Sequence, residues 1–143
     1  MRWTDIPQPY TMDTARSFVH RARAKGHEGK GAAFAISDPV TDQAIGSMTL
    51  HGPDGHRAMF GYWLHPAARG RGLASRALRL ISDWTLDAHP EVVRLETYAM
   101  VGNDASMRVM ETAGFQREGV LRQWDTHRGQ PSDVVFYSRL RSE

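Results

Sequence analysis

The sequence predicts an α+β fold, a mixed and mostly antiparallel central sheet flanked by helices, and three observations carry that expectation. Short runs of alternating residues, separated by turn residues, follow one another between positions 33 and 64. A small, basic, glycine-rich segment then feeds a helix with a continuous apolar face. The chain ends on two strand-like runs around Arg128-Gly129-Gln130-Pro131. The resulting order, α-β-β-β-α-β-α-β-β, does not resemble a doubly wound parallel sheet, where strands and helices alternate throughout. A length of 143 residues, 41% of them hydrophobic, supports one core, so residues 1–143 are expected to form a single domain. Gly26 to Gly31 is the one flexible-looking stretch, and it is too short to divide the chain in two.

Each element has a local cause. Thr11 or Asp13 caps a first helix that runs to about Ala24, with Ala15, Phe18, Val19 and Ala22 on one face. Ala33-Phe34-Ala35-Ile36 reads as a short strand closed by the Asp38-Pro39 turn. In the next strand, Ala44 to Leu50, Ile45, Ser47 and Thr49 alternate with Gly46, Met48 and Leu50, and Gly52-Pro53-Asp54-Gly55 follows as a hairpin loop. Arg57 to Leu64 returns as an aromatic-rich strand ended by Pro66. Leu73, Ala77, Leu80, Ile81, Trp84 and Ala88 recur at helical spacing, and Pro90 lies just past that helix. Val92 to Val101 reads as a strand. Asn103 or Asp104 caps a third helix through Ala113, with Gly114 as its left-handed stop. Gln116–Asp125 and Val134–Leu140 form the last hairpin.

Composition removes several classes of chemistry. The absence of cysteine excludes disulfides, thiolate nucleophiles and cysteine-based metal sites. Seven histidines are scattered without an HExxH or comparable pair, so no metal is expected. No apolar run is long enough to span a bilayer, and Met1 to Pro7 lacks the apolar core of a secretory signal, so a cytoplasmic location without membrane association is expected. Charged residues make up 24%, near the globular average, which excludes whole-chain disorder. The net charge of only +2, with acids spread among the arginines, argues against nucleic acid as a partner.

The sharpest local signal is Arg69-Gly70-Arg71-Gly72-Leu73-Ala74, between a strand and a helix. The first turn of a helix leaves N–H groups without intrahelical acceptors, and its dipole favours an anion there. Glycines let the backbone approach a phosphate closely. Neither GxGxxG nor GxxxxGK[ST] is present, so a pyrophosphate site outside those two motifs is the functional reading. An ordinary glycine-containing turn with two solvated arginines is the plain alternative.

This segment, read as Arg69-x-x-Gly72-x-Ala74, resembles motif A of the GNAT N-acetyltransferases. A second pattern follows in the right order: Asn103-x-x-Ser106, then Gly114-Phe115-x-x-Glu118-Gly119. It resembles the Rim-type branch, whose founders acetylate the N-terminal amine of ribosomal proteins. The resemblance covers about residues 10–141 and implies acetyl-CoA as co-substrate. It implies a pyrophosphate on main-chain amides of Arg69, Gly70, Arg71, Gly72, Leu73 and Ala74. It also implies that Arg57–Leu64 and Val92–Val101 splay apart, with pantetheine inserted like a strand near Trp63 and Leu64. Asn103 and Ser106 would face pantetheine and sulfur, and Ser106 could donate to the leaving thiolate. By spacing from Glu118-Gly119 the general base falls on Asp125, an Asp where the branch has Glu.

The resemblance also implies a strand and helix ahead of the first helix seen here. That absence suggests a shortened chain, a misplaced start or an exposed sheet edge covered by a second copy, which makes a homodimer one expectation. Glu96 is a second base candidate; Tyr62 and Tyr98 are acid candidates, and Trp63 and Trp124 could wall the acceptor site. Each also has a structural role open to it: Asn103 as a helix cap, Asp125 as a turn acid beside Arg122 or Arg128, the aromatics as core. The expected activity is acetyl transfer to a primary amine, either a protein α-amine or a small molecule, by direct ternary-complex attack. A catalytically degenerate acyl-CoA-binding or assembly module of the same fold is the alternative.

Overall fold

The computed structural model describes Trp3 and residues 9–143. Three helices and six strands follow in the expected order. They are α1 (Met12–His27), β1 (Gly31–Ser37), β2 (Ala44–Asp54), β3 (Arg57–Leu64), α2 (Leu73–Ala88), β4 (Arg94–Met100), α3 (Asp104–Thr112), β5 (Gln116–His127) and β6 (Gln130–Leu140). A short 3₁₀ turn, Pro66–Ala68, links β3 to the glycine-rich segment.

The six strands form one sheet in the order β1-β2-β3-β4-β6-β5. Four neighbouring pairs are antiparallel, and β3–β4 is parallel because α2 carries the chain back to the starting end of the sheet. Thr11 caps α1 by accepting the Thr14 N–H at 3.2 Å. Gly114, at φ 92, lets the chain leave α3 in the left-handed conformation.

The final hairpin is longer than its sequence pattern suggests. Arg128 and Gly129 both take positive φ, 52 and 75, which matches the twist of two tightly paired strands. β5 and β6 therefore zip to within two residues of each other. In contrast, β4 begins later than expected, because Val92 is packed into the core ahead of the ladder.

Strand alternation divides the sheet into two faces. On one face Met48, Leu50, Ala58, Phe60, Leu95, Ala99, Val135 and Tyr137 lie beneath α2 and α3 and meet Leu78, Ile81 and Met110. This is the main core. The opposite face carries Trp63, Glu96, Tyr98 and Phe136. There α1 packs along β1, and no α1 residue is buried. Among the described residues nothing pairs with the outer edge of β1. The stretch in which a preceding strand would fall lies largely outside the described residues.

Leu78 is 0% exposed beneath the sheet, whereas Leu80, two residues on, is 71% exposed. Leu78→Ala is expected to lower unfolding free energy by about 2–5 kcal/mol, the usual cost of a core cavity. Leu80→Ala should stay within about 0.5 kcal/mol. Urea denaturation of both variants checks the pair.

Candidate active site

The parallel junction of the sheet is only partly closed. β3 and β4 pair at Arg57–Arg94, Ala58–Leu95 and Met59–Glu96, and no further. At the next step the Thr97 hydroxyl donates to the Phe60 carbonyl at 3.1 Å, a side chain standing where a main-chain bond would continue. Beyond it β3 runs on to Leu64 and β4 to Met100 without pairing to each other.

Alternation identifies which groups face this gap. The His65 N–H donates to the Ile45 carbonyl at 2.8 Å, so main-chain groups at 65, and with them those at 63, turn toward β2. Those of Phe60, Tyr62 and Leu64 turn toward β4. The main-chain contact expected at Trp63 and Leu64 is thus presented by Tyr62 and Leu64, while Trp63 offers only its indole, on the open face. The Leu64 carbonyl is itself taken: Arg69 donates to it from Nε at 3.3 Å and Nη2 at 3.2 Å.

The start of α2 lies at the wide end of the gap. Gly70 and Gly72 have φ of 76 and 70, and a Cβ on either would meet nothing within 4 Å, so the turn is open on its outer side. No side chain caps the helix. Its first main-chain bond runs from Arg76 N–H to the Gly72 carbonyl, leaving the amides of Leu73, Ala74 and Ser75 without an intrahelical acceptor. The two arginines contribute less free charge than the sequence suggests. Arg71 pairs with Asp38 at 3.0 Å, and Arg69 is spent on Leu64. The Val40 N–H and the Arg71 guanidinium hold the Asp38 carboxyl below its usual range.

On the helix side of the gap, Asn103 caps α3, its Oδ1 accepting the Ser106 N–H at 3.3 Å. The cap fixes Ser106, whose Oγ lies 2.8 Å from the Tyr62 hydroxyl; Tyr62 also donates to the Ser106 carbonyl at 3.2 Å. Burial pushes the Tyr62 phenol up to about 12, so it stays protonated at neutral pH. Tyr62 therefore does more than fill the core: it ties β3 to α3 across the gap.

The open face is shaped by two irregularities in β5. Between Arg117 and Gly119 the ladder skips Glu118. That residue meets Arg94 through two bonds, of 2.8 and 2.7 Å, and accepts from the Ser138 hydroxyl at 2.5 Å. Arg94 also grips Glu96 at 2.7 Å. Glu96 is buried and ion-paired rather than turned to solvent, which removes it as a free base. Between Leu121 and Asp125 the partner strand advances only from Val134 to Ser132, so Arg122, Gln123 and Trp124 lie opposite Asp133 alone. Gln123 takes φ 51 there, and its N–H donates to Asp133 Oδ1 at 2.8 Å. The bulge leaves Trp124 exposed and brings Asp125 to the open face, where its Oδ2 accepts the Tyr98 hydroxyl at 2.8 Å. Tyr98 directly follows Thr97, at the point where the strands part. The gap thus has Tyr62–Ser106 on its helix side and Tyr98–Asp125 on its open side.

A sheet opened at its parallel junction, beside an uncapped glycine-rich helix start, is the architecture of the acyl-CoA N-acyltransferases. The chain belongs to the GNAT family of acetyl-CoA-dependent acetyltransferases, with residues 1–116 matching the Acetyltransferase (GNAT) domain. It is 28% identical over 143 residues to p20 of Bacillus licheniformis, an uncharacterized N-acetyltransferase, spanning 99% of this chain and 76% of that one. The ribosomal-protein-S5-alanine acetyltransferase of Vibrio fischeri shares the fold with a TM-score of 0.86 at 19% identity, over 99% of this chain and 80% of that one. RimL, the ribosomal L7/L12 α-N-protein acetyltransferase in complex with coenzyme A, shares it with a TM-score of 0.86 at 22% identity, over 97% and 78%.

Arg94 and Ser138 hold the Glu118 carboxyl at about 2, against 4.5 for an ordinary Glu. A folded-state value below the unfolded one stabilises the fold above the unfolded value, and this stabilisation is lost as pH falls through the folded one. The difference in urea midpoint between the wild type and Glu118→Gln should be full at neutral pH, shrink below about 4.5 and vanish near 2. Denaturation at a series of pH values measures it.

Proposed function

We propose that the protein transfers the acetyl group of acetyl-CoA to a primary amine by direct attack within a ternary complex. The observation that carries this reading is the run of main-chain groups on β3 that no neighbouring strand pairs with, opening beside the free amides of α2. Pantetheine, an extended chain with two amides, can pair with such groups as an added strand. Its diphosphate then falls within reach of the amides from Arg69 to Ala74, where dipole and N–H groups favour an anion. The Arg69 guanidinium must leave the Leu64 carbonyl for pantetheine to use it, and the incoming diphosphate gives it a stronger partner.

The chemistry then divides between the two sides of the gap. The amine enters from the open side and gives its proton to Asp125, directly or through a water. Its lone pair attacks the thioester carbonyl; a C–N bond forms, the C–S bond breaks, and the nitrogen sheds its remaining extra proton to solvent as the amide forms. A main-chain N–H of β3 facing the gap, at Tyr62 or Leu64, stabilises the developing oxyanion. Ser106, positioned by the Asn103 cap, turns its hydroxyl hydrogen from Tyr62 to the departing thiolate, which takes its proton from solvent.

One carboxylate suits a weakly basic amine. An α-amine, with pKa near ~7.7–8.0, is deprotonated at roughly 4 kcal/mol less cost than a lysine at ~10.4. The fold shared with the ribosomal-protein acetyltransferases supports the same choice. A homodimer in solution is part of the same reading, and light scattering tests it.

Gly72→Val puts a branched Cβ at φ 70 over the amides. It should weaken acetyl-CoA binding by at least about tenfold, ~1.4 kcal/mol, in titration calorimetry. Asp125→Asn should leave that affinity unchanged while lowering kcat by about 10²-fold or more, the usual contribution of a general base. Steady-state kinetics alongside calorimetry separates the two effects.

A further inference from the structure

Resting on that reading, the open face also constrains which amine is accepted. Three rings stand in contact around Asp125. Phe136 is buried and stacked on Tyr98, with centroids 6.4 Å apart and planes at 11°. Trp124 meets Phe136 edge-on at 6.1 Å and 82°, and remains 56% exposed. An indole anchored by one edge and otherwise uncovered is apolar surface that folding has not used, and burying it is worth about 25 cal/mol per Å². The bulge that holds it is fixed by the Asp133–Gln123 bond, so Trp124 stands on a defined backbone.

The charges on this face are as selective as the rings. Glu96 and Glu118 are both bound to Arg94, which leaves Asp125 as the anion there without a cationic partner among the described residues. Its two oxygens each accept one bond, from Tyr98 and from the Thr126 N–H, and a carboxylate oxygen accepts more than one. A single carboxylate without an ion-pair partner matches one ammonium, and a polycation's further charges find no second such carboxylate on this face among the described residues. Aromatic faces beside it add cation–π attraction for the same ammonium.

We propose that the acceptor is a singly charged primary amine with a flat or bulky apolar group close to the nitrogen. Its ammonium rests on Asp125, and its apolar part covers Trp124 beside Phe136 and Tyr98. Polyamines and aminoglycosides, which need several carboxylates, are poor acceptors. The same chemistry is available from a small arylalkylamine or from a peptide whose first residue is apolar.

The test is steady-state acetylation by the full chain with three groups of amines. These are phenethylamine and tryptamine, C-terminally amidated tetrapeptides starting with Phe or Met, and spermidine with kanamycin. The expected result is a kcat/KM for one of the first two groups at least about tenfold above that of the polycations, within the range a shaped apolar pocket supplies. Which of those two groups is preferred identifies the source. Trp124→Ala should remove the preference through KM with kcat retained, and Trp124→Phe should keep it. Equal or better use of spermidine, or a preference that survives Trp124→Ala, overturns the proposal. If no amine turns over, saturable binding of phenethylamine to the CoA-loaded protein, lost in Trp124→Ala, still supports it, and absence of such binding overturns it. Calorimetry with acetyl-CoA keeps the two levels apart. Failure to bind it brings down the acetyltransferase reading as well, whereas binding without amine selectivity brings down only this one.

Discussion

The bond from the Thr97 hydroxyl to the Phe60 carbonyl marks the place where a continuous sheet becomes a cleft. Up to Met59 and Glu96 the two middle strands share a ladder; beyond, each keeps only its outer neighbour. β3 stays zipped to β2 from Gly46 to His51, and β4 to β6 along its whole length. The opening therefore costs only the inner hydrogen bonds, each worth about 1 kcal/mol net. The flanking ladders keep both strands extended and rigid. Tyr62 and Tyr98, one on each strand, reach across opposite faces to Ser106 and Asp125, so the same divergence positions the groups on both sides.

Charge at the cleft is managed by pairing rather than accumulation. Arg71 answers Asp38, Arg94 answers Glu96 and Glu118, and Arg69 sits on a carbonyl. What remains for an anion at the start of α2 is mainly backbone: uncapped N–H groups and the helix dipole, in a turn that two left-handed glycines hold open. A main-chain cradle of this kind recognises phosphate geometry without requiring a high net charge, in keeping with the chain's modest +2.

Element order, the place of α2, the Asn103 cap and the open glycine turn were legible in the sequence, because each rests on a local rule of capping, periodicity or φ > 0; the expected apolar face of α2 was not, since it includes the exposed Leu80 and omits the buried Leu78. What was not legible depended on partners distant in the chain. The commitment of Arg69 to Leu64, the burial of Glu96 under Arg94, and the face on which Tyr62 lies are set by register, which no single segment encodes. The β5 bulges escaped for a similar reason. Gln123 in a left-handed conformation carries no glycine to announce it, and it is held by Asp133 from the opposite strand. Which β3 residues turn their main chain to the gap is a matter of parity, and the His65–Ile45 bond settles it in favour of Tyr62 and Leu64 over Trp63.

The irregular strand has one consequence for how this chain can change over evolutionary time. Glu118 is one residue in excess of the ladder, and the second bulge adds two, so the count between Gly119 and Asp125 fixes which way the carboxylate points. Loss or gain of a single codon there would swing Asp125 from the open side to the crowded one, while leaving every core residue in place. Drift in that hairpin is thus restricted in length as well as at Trp124 and Asp125, because an insertion that the core would absorb still misdirects the carboxylate.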